Sequence, residues 1–426
     1  MRSLLAFPPA RELNGSLRVP ASKSATNRAL VLAALSETPV RIERPLESDD
    51  TRALLRCLSA MGARIERRGE ALSVSGPLGG GGAVAVTVLD AGESGTAARF
   101  LIALAAGTDG TFRIVGSARL SERPMGELVA ALRSLGAEIR EEAASGCLPL
   151  SIRGGARHGG SVSVDTSQSS QFLSALLLAG AAGSSIEVSA RGAVPSAPYV
   201  ALTIEALRAF GHGVEGAGPW RVRRGSRSPE AYEIPGDFSS GVPLLAAAGI
   251  CGGEVRLTGL RWPSIEADAL ALPVLAKMGI EIATSEHEIS ARAERARLRP
   301  VSALATDFPD AVPALAATAA FAPGRTRLHG VGHLRWKESD RLTALASLLA
   351  IAGTPAAADD DGLSIDGGGM ASKVHFAVLP TARDHRIAMA AGLLSLGRAR
   401  ALIENPDCVS KSYPEFFRDL ERLCRR

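Results

Sequence analysis

The chain has 426 residues, of which 46% are hydrophobic, 22% charged and only 4% aromatic, with a formal net charge of +4. This length provides for two or three ordinary domains with cores of Ala, Leu, Val and Ile, and the mild charge fits a small anionic partner rather than nucleic acid, which calls for a dense basic stripe. Five cysteines, an odd number without a C-x-x-C pair, suggest neither a disulfide framework nor a zinc site, and no apolar run approaches the roughly 20 residues of a membrane span, so a soluble protein of the reducing cytoplasm is expected.

In chain order, the first element is a helix over residues 22–35, with a polar beginning (SKSATN) and an apolar body. The type recurs over 93–107, 169–181, 237–250, 307–321 and 384–397. Bodies apolar nearly all round predict helices buried inside a domain. A β-rich segment follows each, such as VRIERPL, TFRIVGS or EVRLTGL. Next comes an amphipathic helix that ends on a small residue and glycine. The glycines are Gly62, Gly136, Gly211, Gly279 and Gly353, spaced about 70 residues apart, the mark of an internal repeat. Glycine there suits the left-handed position that closes a helix. A strand or hairpin with polar alternation follows.

The predicted unit is therefore strand, buried helix, strand, surface helix and closing hairpin, present six times. The sixth surface helix, residues 412–423, has no hairpin after it. Residues 1–20 precede the first buried helix and are free to supply the missing strand. This reading gives an α/β fold with two similar domains of three units each. One spans 21–238 and the other joins 1–20 to 239–426.

The helix starts carry the functional signal. A helix N-terminus presents unpaired N–H groups and partial positive charge, so it attracts anions and disfavours cations. Yet Lys23 opens the first buried helix with Arg28 one turn on, Arg99 lies near the start of the second, and Arg386 opens the sixth. The third opens with Ser169, Ser170 and Gln171, uncharged groups able to bond phosphate oxygens. Ser and Asp at such positions are ordinary caps, and Asp310 before the fifth helix reads first as one. Repeat units place equivalent ends on one face, so the basic set predicts a site for a small phosphorylated anion. Gly211 to Gly216 matches G-x-G-x-x-G but follows a helix and leads into a strand, the wrong context for a dinucleotide. Gly79 to Gly82 lacks the Lys-Ser/Thr of a P-loop and reads as a hairpin turn. The scattered histidines predict no metal site.

Read together, these segments resemble the 5-enolpyruvylshikimate-3-phosphate synthase family, the 3-phosphoshikimate 1-carboxyvinyltransferases. The motifs run in order along nearly the whole chain: Pro20-Ala21-Ser22-Lys23-Ser24 with Asn27-Arg28, Ser94-Gly95-Thr96-Ala97 with Arg99, Glu122-Arg123-Pro124, Ser169-Ser170-Gln171-Phe172, Pro198-Tyr199, Pro309-Asp310-Ala311, Lys337-Glu338-Ser339-Asp340-Arg341, Asp384-His385-Arg386 and Lys411-Ser412-Tyr413-Pro414. The resemblance implies an inside-out α/β barrel in each of two domains that close on substrate. It implies transfer of the enolpyruvyl group of phosphoenolpyruvate to the 5-hydroxyl of shikimate 3-phosphate through a tetrahedral intermediate, with no metal or organic cofactor, by a monomer that binds neither nucleic acid nor membrane.

By the same resemblance, Lys23, Gly95, Arg123, Gln171, Arg341, Arg386 and Lys411 surround phosphoenolpyruvate. Lys23, Ser24, Arg28, Ser169, Ser170, Gln171, Ser196, Tyr199, Asp310, His333 and Lys337 hold shikimate 3-phosphate. Arginine suits the phosphate and carboxylate because its fork bonds each bidentately. The catalytic set is Asp310, Glu338, Lys23 and Lys411: Glu338 protonates C3 of the donor, and Asp310 and Lys23 manage the 5-hydroxyl proton, with the division between them open. Gly95 marks the position that sets glyphosate sensitivity, and its retention implies a sensitive enzyme. Four positions depart from the family pattern: Glu93 in place of Asn, Phe100 in place of Pro, Ala197 in place of Lys and His333 in place of Asn. The alternative acceptor is that of UDP-N-acetylglucosamine 1-carboxyvinyltransferase, which resembles this chain less: Lys23 is followed by Ser24 rather than Asn, and the stretch GSARLSERPM has no Cys.

Overall fold

Side-chain caps start three of the six apolar helices. Ser22 accepts the Ala25 N–H at the head of α1 (Lys23–Ala34), Ser94 accepts that of Ala97 at α2 (Gly95–Gly107), and Asp384 accepts that of Arg386 at α6 (His385–Leu396). The other three are α3 (Gln171–Ala182), α4 (Phe238–Cys251) and α5 (Val312–Ala319). The structure, a computed structural model, describes residues 3–7, 9–10, 12–79, 85–155, 159–183, 185–368, 377–397 and 401–424. Gly80 to Gly82 of the expected glycine turn lie outside the described residues.

Every residue of α4 and of α6 is buried, as their uniformly apolar bodies require. α1, α2 and α3 pack on one another, and so do α4, α5 and α6. Each set forms the centre of its own hydrophobic core. The chain divides by internal contacts into two units, Met1–Pro20 with Pro235–Arg426, and Ala21–Ile234.

Among the described residues, three small sheets lie around each core. In the second repeat, Val86–Asp90 runs parallel to Thr111–Val115, which pairs antiparallel with Leu150–Arg153, and that strand with Glu138–Glu141. The third and fifth repeats have the same order. The first and fourth exchange their leading strands. Leu13–Arg18, just before α1 in sequence, pairs with Gly253–Thr258, while Ala231–Glu233, just before α4, pairs with Val40–Glu43. The sixth sheet has three strands, and its antiparallel member is Leu4–Phe7, paired with Ala401–Glu404. The N-terminal segment thus supplies strands to two sheets, where the sequence pattern called for one.

All five closing glycines have φ between +76° and +99°, as a left-handed helix end demands. A clear departure from the expected form lies in the fourth repeat. The fourth surface helix is a 3-10 turn, Ala267–Ala271, followed by a short helix, Leu272–Lys277. Pro273, without an N–H to donate, begins that helix instead of continuing an earlier one. Among the described residues no helix is long and apolar enough to cross a membrane.

Candidate active site

In the unit Ala21–Ile234, Lys23 begins α1, and its Nζ lies 3.0 Å from Asp50 Oδ2, in the first turn of the surface helix Asp49–Ala60. The carboxylate sits where a helix favours negative charge, and it offsets a cation at the start of α1. The sequence reading left that cation in need of an anion, and part of the answer is within the protein. Ser24 follows on α1, and its carbonyl accepts from Arg28 Nη1 at 2.9 Å.

Arg28 is 1% exposed, so its donors need internal acceptors. Nε donates to Thr203 Oγ1 at 2.7 Å, and Nη2 to the Tyr199 carbonyl at 2.9 Å and to Ser174 Oγ at 3.4 Å. Phe100, buried at the position where the resemblance expects proline, lies 5.4 Å from the Arg28 guanidinium carbon. Arg28 therefore ties α1, α3 and the surface helix Ala197–Ala209 together, a duty the sequence reading did not give it. Ser196, before that helix, is buried with φ at +60°. Left-handed backbone at a non-glycine residue costs about 1–3 kcal/mol and concentrates at functional positions. Ala197 beside it is exposed.

Arg99 bonds Gln171 Oε1 through Nη1 at 2.7 Å and the Pro124 carbonyl through Nη2 at 3.0 Å. The Gln171 amide donates to Thr96 Oγ1 at 3.0 Å. The heads of α2 and α3 are thereby joined. Ser169 Oγ accepts the Gln171 N–H, and Ser170 is buried beside it. Arg123 is 5% exposed, and its guanidinium lies against Gly95: a Cβ there would come within 2.5–2.9 Å of its atoms. Glu93 is exposed, so water and salt screen its charge.

In the other unit, Arg341 is a hub. It is 1% exposed and faces three carboxylates: Asp310 Oδ1 at 2.7 Å, Glu338 Oε2 at 2.9 Å and Asp384 Oδ2 at 2.8 Å. Burial alone would push the guanidinium down, but the charges of Asp384, Asp310 and Glu338 hold it well above its ordinary range. Asp310 is not the helix cap that its position suggested. Ala311 precedes α5 without a side-chain cap bond. Asp310 turns to cations instead, with Arg386 Nη2 3.6 Å from its Oδ2. The Arg386 guanidinium, buried at the head of α6, donates to the Ser239 carbonyl at 2.6 Å.

His333 lies in the 3-10 turn Gly332–Trp336, which ends at Lys337. Burial, then the Lys337 charge, pushes its imidazole down to about 3, so it is neutral. Its Nε2 is buried without a hydrogen-bond partner. Lys411, 4% exposed, ends the 3-10 turn Pro406–Lys411. The structure thus brings Asp310, Glu338, Arg341 and Arg386 into one contact network. Lys337 shares the charge neighbourhood of His333 with Asp310 and Arg341.

Sequence reasoning missed Asp50, Asp268 and Ser239. Asp268 lies within a run that reads as an amphipathic helix, where a lone acid among Ala and Leu is the available signal. Among the described residues no group of three or more His, Cys, Asp or Glu side chains is arranged to hold a metal ion.

Comparison with known proteins places this architecture. The family model for EPSP synthase (3-phosphoshikimate 1-carboxyvinyltransferase) matches residues 8–420. The 3-phosphoshikimate 1-carboxyvinyltransferase of Pectobacterium atrosepticum is 38% identical, over 99% of each chain, and that of Thermococcus kodakarensis is 40% identical, over 97% of this chain and 98% of its own. The solved EPSP synthase of Acinetobacter baumannii superposes with a TM-score of 0.81 at 26% identity, covering 99% of this chain and 98% of that one. With the family model matched almost from end to end and relatives this similar over their whole lengths, the chain belongs to the EPSP synthase family.

Proposed function

We propose that the chain transfers the enolpyruvyl group of phosphoenolpyruvate to the 5-hydroxyl of shikimate 3-phosphate, giving 5-enolpyruvylshikimate 3-phosphate and phosphate. The carrying observation is the Arg341 hub, which holds two carboxyl groups suited to proton exchange, Asp310 and Glu338, at 2.7 and 2.9 Å. The reaction requires two such groups. Addition forms a bond from the hydroxyl oxygen to C2 of the donor while a proton reaches C3; elimination breaks the C2–O bond to phosphate and returns a C3 proton to a base. Glu338 is the group assigned to C3, and Asp310 with Lys23 is assigned the hydroxyl proton, each as a general acid or base.

Each unit carries assigned residues of its own. In Ala21–Ile234, Lys23, Gly95, Arg123 and Gln171 are assigned to phosphoenolpyruvate, and Lys23, Ser24, Arg28, Ser169, Ser170, Gln171, Ser196 and Tyr199 to shikimate 3-phosphate. In the other unit, Arg341, Arg386 and Lys411 are assigned to the donor, and Asp310, His333 and Lys337 to the acceptor. The cations stabilise phosphate and carboxylate by charge-assisted bonds. The reading also takes the enzyme to be a cytoplasmic monomer sensitive to glyphosate, competing with phosphoenolpyruvate near Gly95.

The test is phosphate release from phosphoenolpyruvate with either shikimate 3-phosphate or UDP-N-acetylglucosamine as acceptor. Release with shikimate 3-phosphate alone is expected. Release with the sugar nucleotide alone would overturn the reading.

A further inference from the structure

Asp268 lies outside every set of residues assigned above. It sits in the 3-10 turn Ala267–Ala271 and is 1% exposed. A carboxylate so buried persists only if its oxygens are bonded, and both are. Oδ1 accepts the Ala311 N–H at 3.1 Å, the amide directly after Asp310. Oδ2 accepts the Ser239 hydroxyl in a short hydrogen bond. The Ser239 carbonyl in turn accepts from Arg386 Nη1, and Arg386 Nη2 faces Asp310. The contacts close a ring from Asp268 to the Ala311 amide, through the adjoining Asp310 to Arg386, and by Ser239 back to Asp268. α5 has no side-chain cap of its own, and Asp268 supplies an acceptor at its head from another repeat.

We propose that Asp268 is a positioning residue, holding Asp310 and Arg386 in register for proton exchange at the acceptor hydroxyl; this rests on the proton role assigned to Asp310 above. Charge supports the geometry. Asp268 is faced by Asp310, Asp237 and Arg386, with Glu266 on its own segment. Burial, then the Asp310 charge, pushes its carboxyl well above the usual range. Two carboxyl groups coupled in this way titrate as a pair whose upper step lies above either group's own value, so removing one leaves the other to ionise below that step.

The experiment compares Asp268→Asn, Ser239→Ala and Asp310→Ala in the full chain, measuring kcat, both KM values, the pH profile of kcat and thermal unfolding. Asn keeps an acceptor for Ala311 and a donor toward Ser239. Asp268→Asn is expected to fold, to lose about tenfold in kcat with each KM within about twofold, and to move the acidic limb to lower pH. Ser239→Ala removes a bond that favours ionised Asp268 and is expected to move the limb the same way, by less. Turnover retained in Asp310→Ala would overturn the proton role itself. Turnover lost there, with kcat and limb unchanged in Asp268→Asn, would overturn the positioning role alone. If Asp268→Asn does not fold, Ser239→Ala decides: an unmoved limb sinks the inference.

Discussion

At the residue scale, the Arg341 hub has the largest expected energetic effect. Asp384 is 0% exposed, and it both caps α6 and pairs with Arg341. Removing one partner of a buried ion pair leaves the other charge unpaired in a medium that solvates it poorly, at a cost of about 3–5 kcal/mol. Arg341→Ala is therefore expected to lower unfolding stability by about that amount in urea titration, beyond any effect on turnover. Replacing Glu338 leaves the buried Arg341 still paired with Asp310 and Asp384, so no charge is stranded. Glu338→Gln is expected to slow turnover about 100-fold or more, while substrate binding in calorimetry changes little. Equal turnover would remove its proton role. Gly95→Ala tests a close approach. The added Cβ would meet the Arg123 guanidinium at 2.5–2.9 Å, so that side chain must move. The expected readout is a raised KM for phosphoenolpyruvate, by roughly tenfold, with kcat reduced less, as for loss of a binding contact.

Elements show which signals were readable along the chain. The caps Ser22, Ser94 and Asp384, and the closing glycines, were legible because helix ends obey local backbone rules. Ser22→Ala is expected to cost about 1 kcal/mol by chemical denaturation. The fate of Asp310 was not legible, because cap and ion-pair partner have the same residue type, and only the approach of Arg341 and Arg386 separates them. Buried His212 and half-buried His333 carry an expected pH dependence. Burial and then Arg224 push His212 down to about 4, while burial and then Lys337 push His333 down to about 3. Each folded value lies below the ordinary 6.5, so the unfolded chain binds more protons between the two. The stability contributed by these two groups is expected to be full above about pH 6.5 and to fall as pH drops toward 4, with a limiting slope of about 1.4 kcal/mol per unit for each histidine. Denaturation at pH 7 and pH 5 checks the sign. His333→Gln is expected to flatten the difference.

At the scale of the whole molecule, the exchange of leading strands governs how the chain can be divided. Residues 21–234 contain all the strands of their three sheets, including Ala231–Glu233. Residues 235–426 lack two strands, Leu4–Phe7 and Leu13–Arg18, which complete the sixth and fourth sheets. A fragment of 21–234 is expected to unfold cooperatively in calorimetry. Residues 235–426 alone are expected to lack a cooperative transition, and adding back 1–20 by circular permutation is expected to restore it.

The sequence alone determined the six-fold recurrence and the buried helices, its basic helix starts gave the expectation of an anion site, and its ordered motifs pointed to the family. Periodicity, capping and charge at helix ends act over a few residues and leave marks in one dimension. Tertiary structure decided the rest: which carboxylate answers Lys23, why Arg28 is tied among three helices, and that Asp268 reaches Ser239 and Ala311, which lie 29 and 43 residues away. Those pairings are made by packing. A buried charge takes whatever complementary group the folded core sets beside it, and no local pattern along the chain encodes which group that is.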